Sequence, residues 1–276
     1  MYYSVNVRDL SFVAFDIETT GLEPLLHRIV EIGGIKFRDN QVIESFDTLI
    51  DPQIPIPEDT VKIHGITDTM VKGKPTVEEV RPDFIAFIKD SVPVAHNAPF
   101  DVSFLAYDIS RLQLKTQPVP ILDTCSLSRS LFPGFPSHSL QNLARQLHIV
   151  SRIPHRALSD AEICMKLFNE CIRKLGQPDK MKLKNIIRHS GPVFCFDCTA
   201  IQFREPYRMI EEAFREGKSV EIMYQKSSGE ETTRKITPLS VGIVRKAVIL
   251  EAFCHLRQEK RTFRLDRIVR VRNLSG

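Results

Sequence analysis

No stretch of this 276-residue sequence approaches eighteen consecutive apolar residues, so a transmembrane helix is not expected. The opening MYYSVNVRDL has no basic run followed by an apolar one, so a secretory leader is not expected either. Cysteine is scarce, with six residues, too few for a disulfide scaffold in a chain of this length. A cytoplasmic protein with mostly reduced thiols and no membrane contact is the expectation. Low-complexity tracts are lacking, which excludes a fibre or a disordered tail. With 42% hydrophobic and 26% charged residues, the composition is that of a globular chain long enough for one large domain and a small one.

Charge is present but uneven. From residue 200 onward there are 16 Lys+Arg against 10 Asp+Glu, a net of +6, while the whole chain carries +4, leaving −2 for residues 1–199. The asymmetry suggests two domains and makes the basic one a candidate for an anionic partner, although a solvated basic surface explains it equally well.

The pattern of elements supports that division. After FVAFDIET, the runs RIVEIGGIKF and QVIESFDTLI are β-like and meet at Arg38-Asp39-Asn40, which suits a tight hairpin turn. TVEEVRPDFIAFIKD opens with the capping box Thr76-x-x-Glu79, though Pro82 allows a start as late as Arg81. VPVAHN and VPILDT read as short strands. NAPFDVSFLAYDI, SLQNLARQLHI and SDAEICMKLFNECIRKL read as helices, the last capped by Ser159. Strands alternating with helices after a meander describe an α/β domain with a mixed sheet over residues 1–175. Residues 176–203 are polar, basic and broken by Gly and Pro, as in a linker with one helical turn or more. Over 204–276, the helix EPYRMIEEAFREG and about four strands suggest a small β-barrel, with TFRLDRIVRVRNL as a single strand.

Two carboxylates stand within the apolar run FVAFDIETTGL. Asp16 and Glu18 are two apart on a strand and so share a face, a costly arrangement unless something positive lies between them. A strand running out into a polar loop would explain the pair alone, since Asp-x-Glu is a weak motif. Two further acids, Asp101 and Asp160, lie in the first turns of helices, where the helix dipole favours an acid by about 0.3–1 kcal/mol. That accounts for each separately, but not for His155, five residues before Asp160, together with the strand-borne pair. Four acids and one His are the set needed for metal-assisted hydrolysis of a phosphodiester. Two divalent cations roughly 3.5–4 Å apart stabilise both the attacking and the leaving oxygen of an in-line displacement. Mg²⁺ and Mn²⁺ both suit oxygen ligands, and an imidazole outside the metal shell can take the proton of the attacking water.

The order FDIETTGL, KIHGITD, AHNAPFDVSFL, HRALSDA resembles the motifs of the DnaQ-like 3′-to-5′ exonucleases of the DEDDh subgroup. ILDTCSLSRSLFPG and SLQNLARQLHI resemble the stretches between the last two motifs. The likeness covers roughly residues 10–175 and is strongest to the proofreading subunits or domains of bacterial replicative polymerases. It implies a ribonuclease H-like fold, a mixed sheet with flanking helices. It also implies Asp16, Glu18, Asp101 and Asp160 as ligands of two divalent metal ions, Mg²⁺ or Mn²⁺, and His155 as general base. Thr19 and Thr20 are then expected beside the 3′-terminal nucleotide, with His64 and Phe100 holding its sugar and base. Loop-capping would equally explain His64, and core packing Phe100; Phe104 is expected in the core. Asp123 fits no ligand position and reads as a structural cap.

From about Arg204 the chain resembles a WYL domain, an Sm-like small barrel, through PLSVGIV, AVILEAF and RTFRLDRIVRV. The resemblance implies a nucleic-acid or nucleotide ligand. The eponymous Trp-Tyr-Leu is here Val248-Ile249-Leu250, so base stacking from two aromatics is lost. Arg261, Arg264 and Arg267 are the candidate phosphate contacts, against a plainer role as charged strand edges. Cys195-x-x-Cys198 near His189 lacks the second ligand pair of a structural zinc site and reads as a buried short strand.

Three functional readings compete. The first is a metal-dependent exonuclease acting on DNA 3′ ends, the basic barrel tethering substrate. The second is the same chemistry on RNA or short oligoribonucleotides. The third is a non-catalytic nucleic-acid-binding regulator, against which the complete set of five catalytic residues argues. The family's polymerase-binding tail is replaced by the barrel, so a stand-alone role in repair or turnover is expected over polymerase association.

Overall fold

The computed structural model describes residues 2–24, 26–111, 119–150, 155–177, 180–190, 195–196, 206–226, 228–244 and 247–274. Backbone contacts divide the chain into two compact units, Met1–Ala106 with Leu114–Thr199, and Tyr107–Gln113 with Ala200–Gly276.

The first unit is built on strands β1 (Phe12–Thr19), β2 (Ile29–Arg38), β3 (Gln41–Leu49), β4 (Val92–Ala95) and β5 (Leu122–Asp123). Their spatial order is β3-β2-β1-β4-β5. The first three form an antiparallel meander, and β4 and β5 join parallel to β1. This is the expected mixed sheet, with β1 in the middle. Asp39 and Asn40 both take positive φ, 45° and 65°, the backbone of the tight β2–β3 hairpin that their side chains tolerate.

Helices α1 (Glu58–His64), α2 (Asp68–Val71), α3 (Val77–Ile88), α4 (Pro99–Arg111), α5 (Thr124–Leu131), α6 (Leu140–Gln146), α7 (Ala157–Leu175) and α8 (Leu183–Ile187) flank this sheet or connect its strands. The start of α3 is Val77, with Pro82 inside the helix. The late start that Pro82 allowed is therefore corrected. The Glu79 carboxylate accepts from both the Thr76 N–H (2.7 Å) and hydroxyl (3.1 Å), which fixes the first turn upstream of the proline.

α7 packs across β1 and β2. The Phe12, Phe37 and Phe168 rings, one from each of these elements, lie with centroids 4.9–6.0 Å apart in the core. Part of the expected linker belongs to the same core. Met181, Leu183 and Ile186 are buried in it, and the Val7 N–H donates to the Met181 carbonyl at 2.9 Å.

In the second unit, α9 (Pro206–Glu216) precedes β6 (Val220–Gln225), β7 (Glu231–Val244), β8 (Ala247–Cys254), β9 (Glu259–Arg264) and β10 (Ile268–Asn273). The strands form a separate antiparallel sheet in the order β10-β6-β7-β8-β9. TFRLDRIVRVRNL is not one strand. A 3₁₀ turn at Leu265–Arg267 breaks it, so its two halves join opposite edges of the sheet.

Candidate active site

β1 delivers the first two acids. Asp16 pairs with Gly33 and Glu18 with Glu31 across the β1–β2 ladder, and the register shifts between Glu18 and Thr19. Such a bulge at the end of a strand re-aims the side chains beside it. The third acid, Asp160, comes from the first turn of α7. The carboxylates of Asp16, Glu18 and Asp160 each offer an oxygen, and these atoms lie within 4.8 Å of one another.

Asp101, in the first turn of α4, is buried and accepts a hydrogen bond from the Ile17 N–H at 3.1 Å, between the two strand acids in sequence. Burial raises the Asp101 carboxyl well above the ordinary range. It does the same to Asp16, with Asp101, Glu18 and Asp160 adding repulsion. The Glu18 carboxyl is pushed up to about 8, first by burial and then by Asp160 and Glu31. Burial also raises Asp160, against the opposing pull of His155. Burial, and repulsion among the acids, disfavours their charged forms, a cost that bound cations remove. The oxygen-only donor set and its small span fit hard divalent cations.

His155 is exposed, in a left-handed conformation with φ 59°, immediately before Arg156 and the start of α7. Its backbone also bonds the Asp160 carboxylate. Gln141 of α6 donates to Asp160 Oδ1 at 2.8 Å.

The expected helix cap is corrected. Ser159 lies inside α7, whose first residue is Ala157. The Ala157 N–H instead donates to Glu31 at 2.9 Å, and the Arg156 guanidinium contacts both oxygens of the same carboxylate. Glu31 is 1% exposed. Sequence reasoning missed Glu31 and Arg156. The signal was an acid inside RIVEIGGIKF, as out of place as those in FVAFDIETTGL. Gln141 had no local signal.

The remaining candidates sit around this cluster. Thr19 and Thr20 are buried, and their hydroxyls serve the loop: Thr19 donates to the Gly21 carbonyl at 2.6 Å and Thr20 accepts from the Arg28 N–H at 3.0 Å. His64 ends α1, is buried, and accepts from the Ile66 N–H at 3.0 Å through Nδ1. Among the described residues its Nε2 makes no close hydrogen bond, and burial lowers its pKa against the opposing pull of the Thr19 backbone. Phe100 is half-buried and packs on the core residue Phe104 at 5.2 Å. Asp123 caps α5, accepting from the Cys125 and Ser126 N–H groups at 3.0 and 3.2 Å, and also accepts from Asn97, just before α4.

In the second unit, Arg261 is exposed on β9 and ion-paired to Glu259 at 3.4 Å. Arg264 ends β9, and Arg267 lies in the 3₁₀ turn rather than on a strand edge. Cys195 is disulfide-bonded, so its sulfur is no thiolate ligand for zinc. The expected strand FCFDC is corrected where it is described: Cys195 and Phe196 are buried but in no strand, and residues 194, 197 and 198 lie outside the described residues.

A mixed sheet with acids gathered at the end of its middle strand defines a ribonuclease H-like nuclease. Residues 13–168 match the exonuclease family and residues 205–273 the WYL domain; the chain belongs to the exonuclease family. The DNA polymerase III subunit epsilon of Treponema pallidum is 44% identical over 165 residues, 59% of this chain and 77% of that one. The PolC-type DNA polymerase III of Caldanaerobacter subterraneus is 41% identical over 166 residues, 60% of this chain. The chain spans only 12% of that polymerase's length. Among solved structures, the nuclease domain of 3′hExo, a DEDDh family member bound to rAMP, has a TM-score of 0.51 at 18% identity. The match covers 59% of this chain and 92% of that domain, and it concerns the fold. No described helix is long and apolar enough to cross a membrane.

Proposed function

We propose that this protein is a metal-dependent 3′-to-5′ exonuclease that removes nucleoside monophosphates from DNA 3′ ends, single-stranded or frayed. The observation that carries the reading is the convergence of Asp16, Glu18 and Asp160 within 4.8 Å, with Asp101 buried against the backbone of the same strand.

In this reading, Asp16, Glu18, Asp101 and Asp160 hold two divalent cations, Mg²⁺ or Mn²⁺. When bound, these cations supply charge stabilisation at the attacking and leaving oxygens. His155, beside Asp160 and open to solvent, accepts the proton of the attacking water. The bond to the 3′ oxygen of the penultimate nucleotide breaks, and the terminal nucleotide leaves as its 5′-monophosphate. Thr19, Thr20, His64 and Phe100 line the approach of the terminal sugar and base. The buried Nε2 of His64, without a close partner among the described residues, supports this placement. The basic second unit acts as a tether through Arg261, Arg264 and Arg267, and the enzyme works apart from a polymerase.

The test is incubation of 5′-labelled single-stranded DNA and RNA of one sequence with the protein, with and without Mn²⁺ or Mg²⁺, beside Asp16→Ala. A metal-dependent ladder shortening from the 3′ end, absent in the variant, is the expected result. Faster cleavage of RNA would move the substrate to RNA. Binding without cleavage of either strand would leave only a nucleic-acid-binding regulator.

A further inference from the structure

We infer that Glu31 and Arg156 form a positioning pair that sets the His155 imidazole over the acid cluster; this rests on the general-base reading of His155. Glu31 is the buried member. Its carboxylate receives the Arg156 Nε at 3.0 and 3.1 Å, the Arg156 Nη2, and the Ala157 N–H at 2.9 Å. A forked guanidinium on a buried carboxylate fixes direction as well as distance, because the planar fork matches both oxygens. The helix N-terminus adds a third donor to the same carboxylate.

The residue thus clamped is the one that follows His155. His155 stands at φ 59°, a conformation a non-glycine residue holds when its surroundings impose it. Two anchors impose it here. On one side the Asp160 carboxylate takes a backbone hydrogen bond from His155. On the other, Arg156 is tied to β2 through Glu31. Asp160 is occupied as a proposed metal ligand and is held independently by Gln141 at 2.8 Å. The Glu31–Arg156 pair is therefore the tie whose removal frees the imidazole while leaving all four acids in place; removing both charges together offsets their opposite effects on Glu18, which Glu31 raises and Arg156 lowers.

The experiment is steady-state cleavage of 5′-labelled single-stranded DNA at several Mn²⁺ concentrations. The enzymes are wild type, Arg156→Met, Arg156→Lys, His155→Ala, and the pair Glu31→Gln/Arg156→Met, each also combined with His155→Ala. The pair variant removes both charges, which is often neutral for folding, whereas Arg156→Met alone leaves a buried carboxylate unpaired. Thermal melts identify the folded variants. The folded pair variant is expected to lose roughly 10²-fold in kcat, the scale of a small misplacement of a catalytic group, with KM and metal requirement unchanged. Arg156→Lys is expected to recover only part of the rate, as a point charge without the fork. In the His155→Ala background, the same substitutions should cause no further loss.

Wild-type turnover by the folded pair variant would overturn the inference. So would an undiminished loss in the His155→Ala background, or a raised metal requirement, which would place the effect on Asp160. Wild-type turnover by His155→Ala itself is a separate result: it removes the general-base reading, and the inference with it.

Discussion

Gly33 of β2 lies directly under the first turn of α7: a Cβ added to it would stand 2.1 Å from the Leu158 nitrogen and 2.2 Å from the Ala157 carbonyl carbon. No side chain fits between strand and helix there. Gly33 is also the ladder partner of Asp16, so the absence of a side chain at this position brings Asp160 close to the strand acids.

Gly33→Ala should therefore damage activity more than stability. Overpacking of this kind costs about 1–3 kcal/mol, which a thermal melt reads as a lowered but cooperative transition. Cleavage should fall by roughly 10²-fold, since α7 must lift and carry Asp160 and His155 with it. Wild-type cleavage in a variant with a lowered melting temperature would show that α7's approach does not set the site.

The raised carboxyls predict an inverted pH dependence of stability. The Glu18 carboxyl has an ordinary value of 4.5 and is pushed up to about 8 in the folded protein. Between these values the folded state holds a proton that the unfolded state has released, so stability falls as pH rises through this window. Asp16, Asp101 and Asp160 shift in the same direction. Metal-free protein should melt at a lower temperature at pH 8 than at pH 5.5. Mn²⁺ should raise the transition more at pH 8, where fewer protons compete with it for the carboxylates. A metal-free melting temperature that rises over that interval would contradict the acid cluster's electrostatics.

Asp101→Asn separates charge from structure. The amide oxygen can still accept the Ile17 N–H, so the fold should persist. Removing one carboxylate from four that repel one another should raise the metal-free melting temperature at pH 8. Cleavage should disappear, as a neutral amide is a poor ligand for a hard cation. Retained cleavage would remove Asp101 from the ligand set.

Replacing Arg261, Arg264 and Arg267 together by Ala should leave cleavage of short strands unchanged while weakening binding to long ones. The slope of log affinity against log salt should flatten by roughly 0.7 for each single-strand phosphate that the variant no longer neutralises. An unchanged slope, measured by salt titration of fluorescent oligonucleotide binding, would exclude these three as phosphate ligands.

Much of the site was legible from local pattern. The pairing of Asp16 and Glu18 on one strand face follows from the two-residue repeat, and the β2–β3 turn from Asp39-Asn40. Helix caps were less legible. Ser159 suits a cap by residue type, yet α7 starts two residues before it because the buried carboxylate of Glu31, distant in sequence, satisfies the Ala157 N–H. The break at Leu265–Arg267 was hidden for a similar reason. Alternating polarity continues through RTFRLDRIVRV, and only pairing to opposite edges of a sheet makes the chain turn there.

By itself the sequence determined the mixed α/β pattern, the four acids and His155, and their order along the chain, because strand and helix periodicity and residue chemistry are local properties. Tertiary structure alone decided which acids meet and how they are held. Asp160 reaches Asp16 and Glu18 because Gly33 admits α7, Gln141 steadies it from α6, and Glu31 ties Arg156 to β2. These are contacts between residues far apart in the chain, and their energies depend on burial that no local window contains.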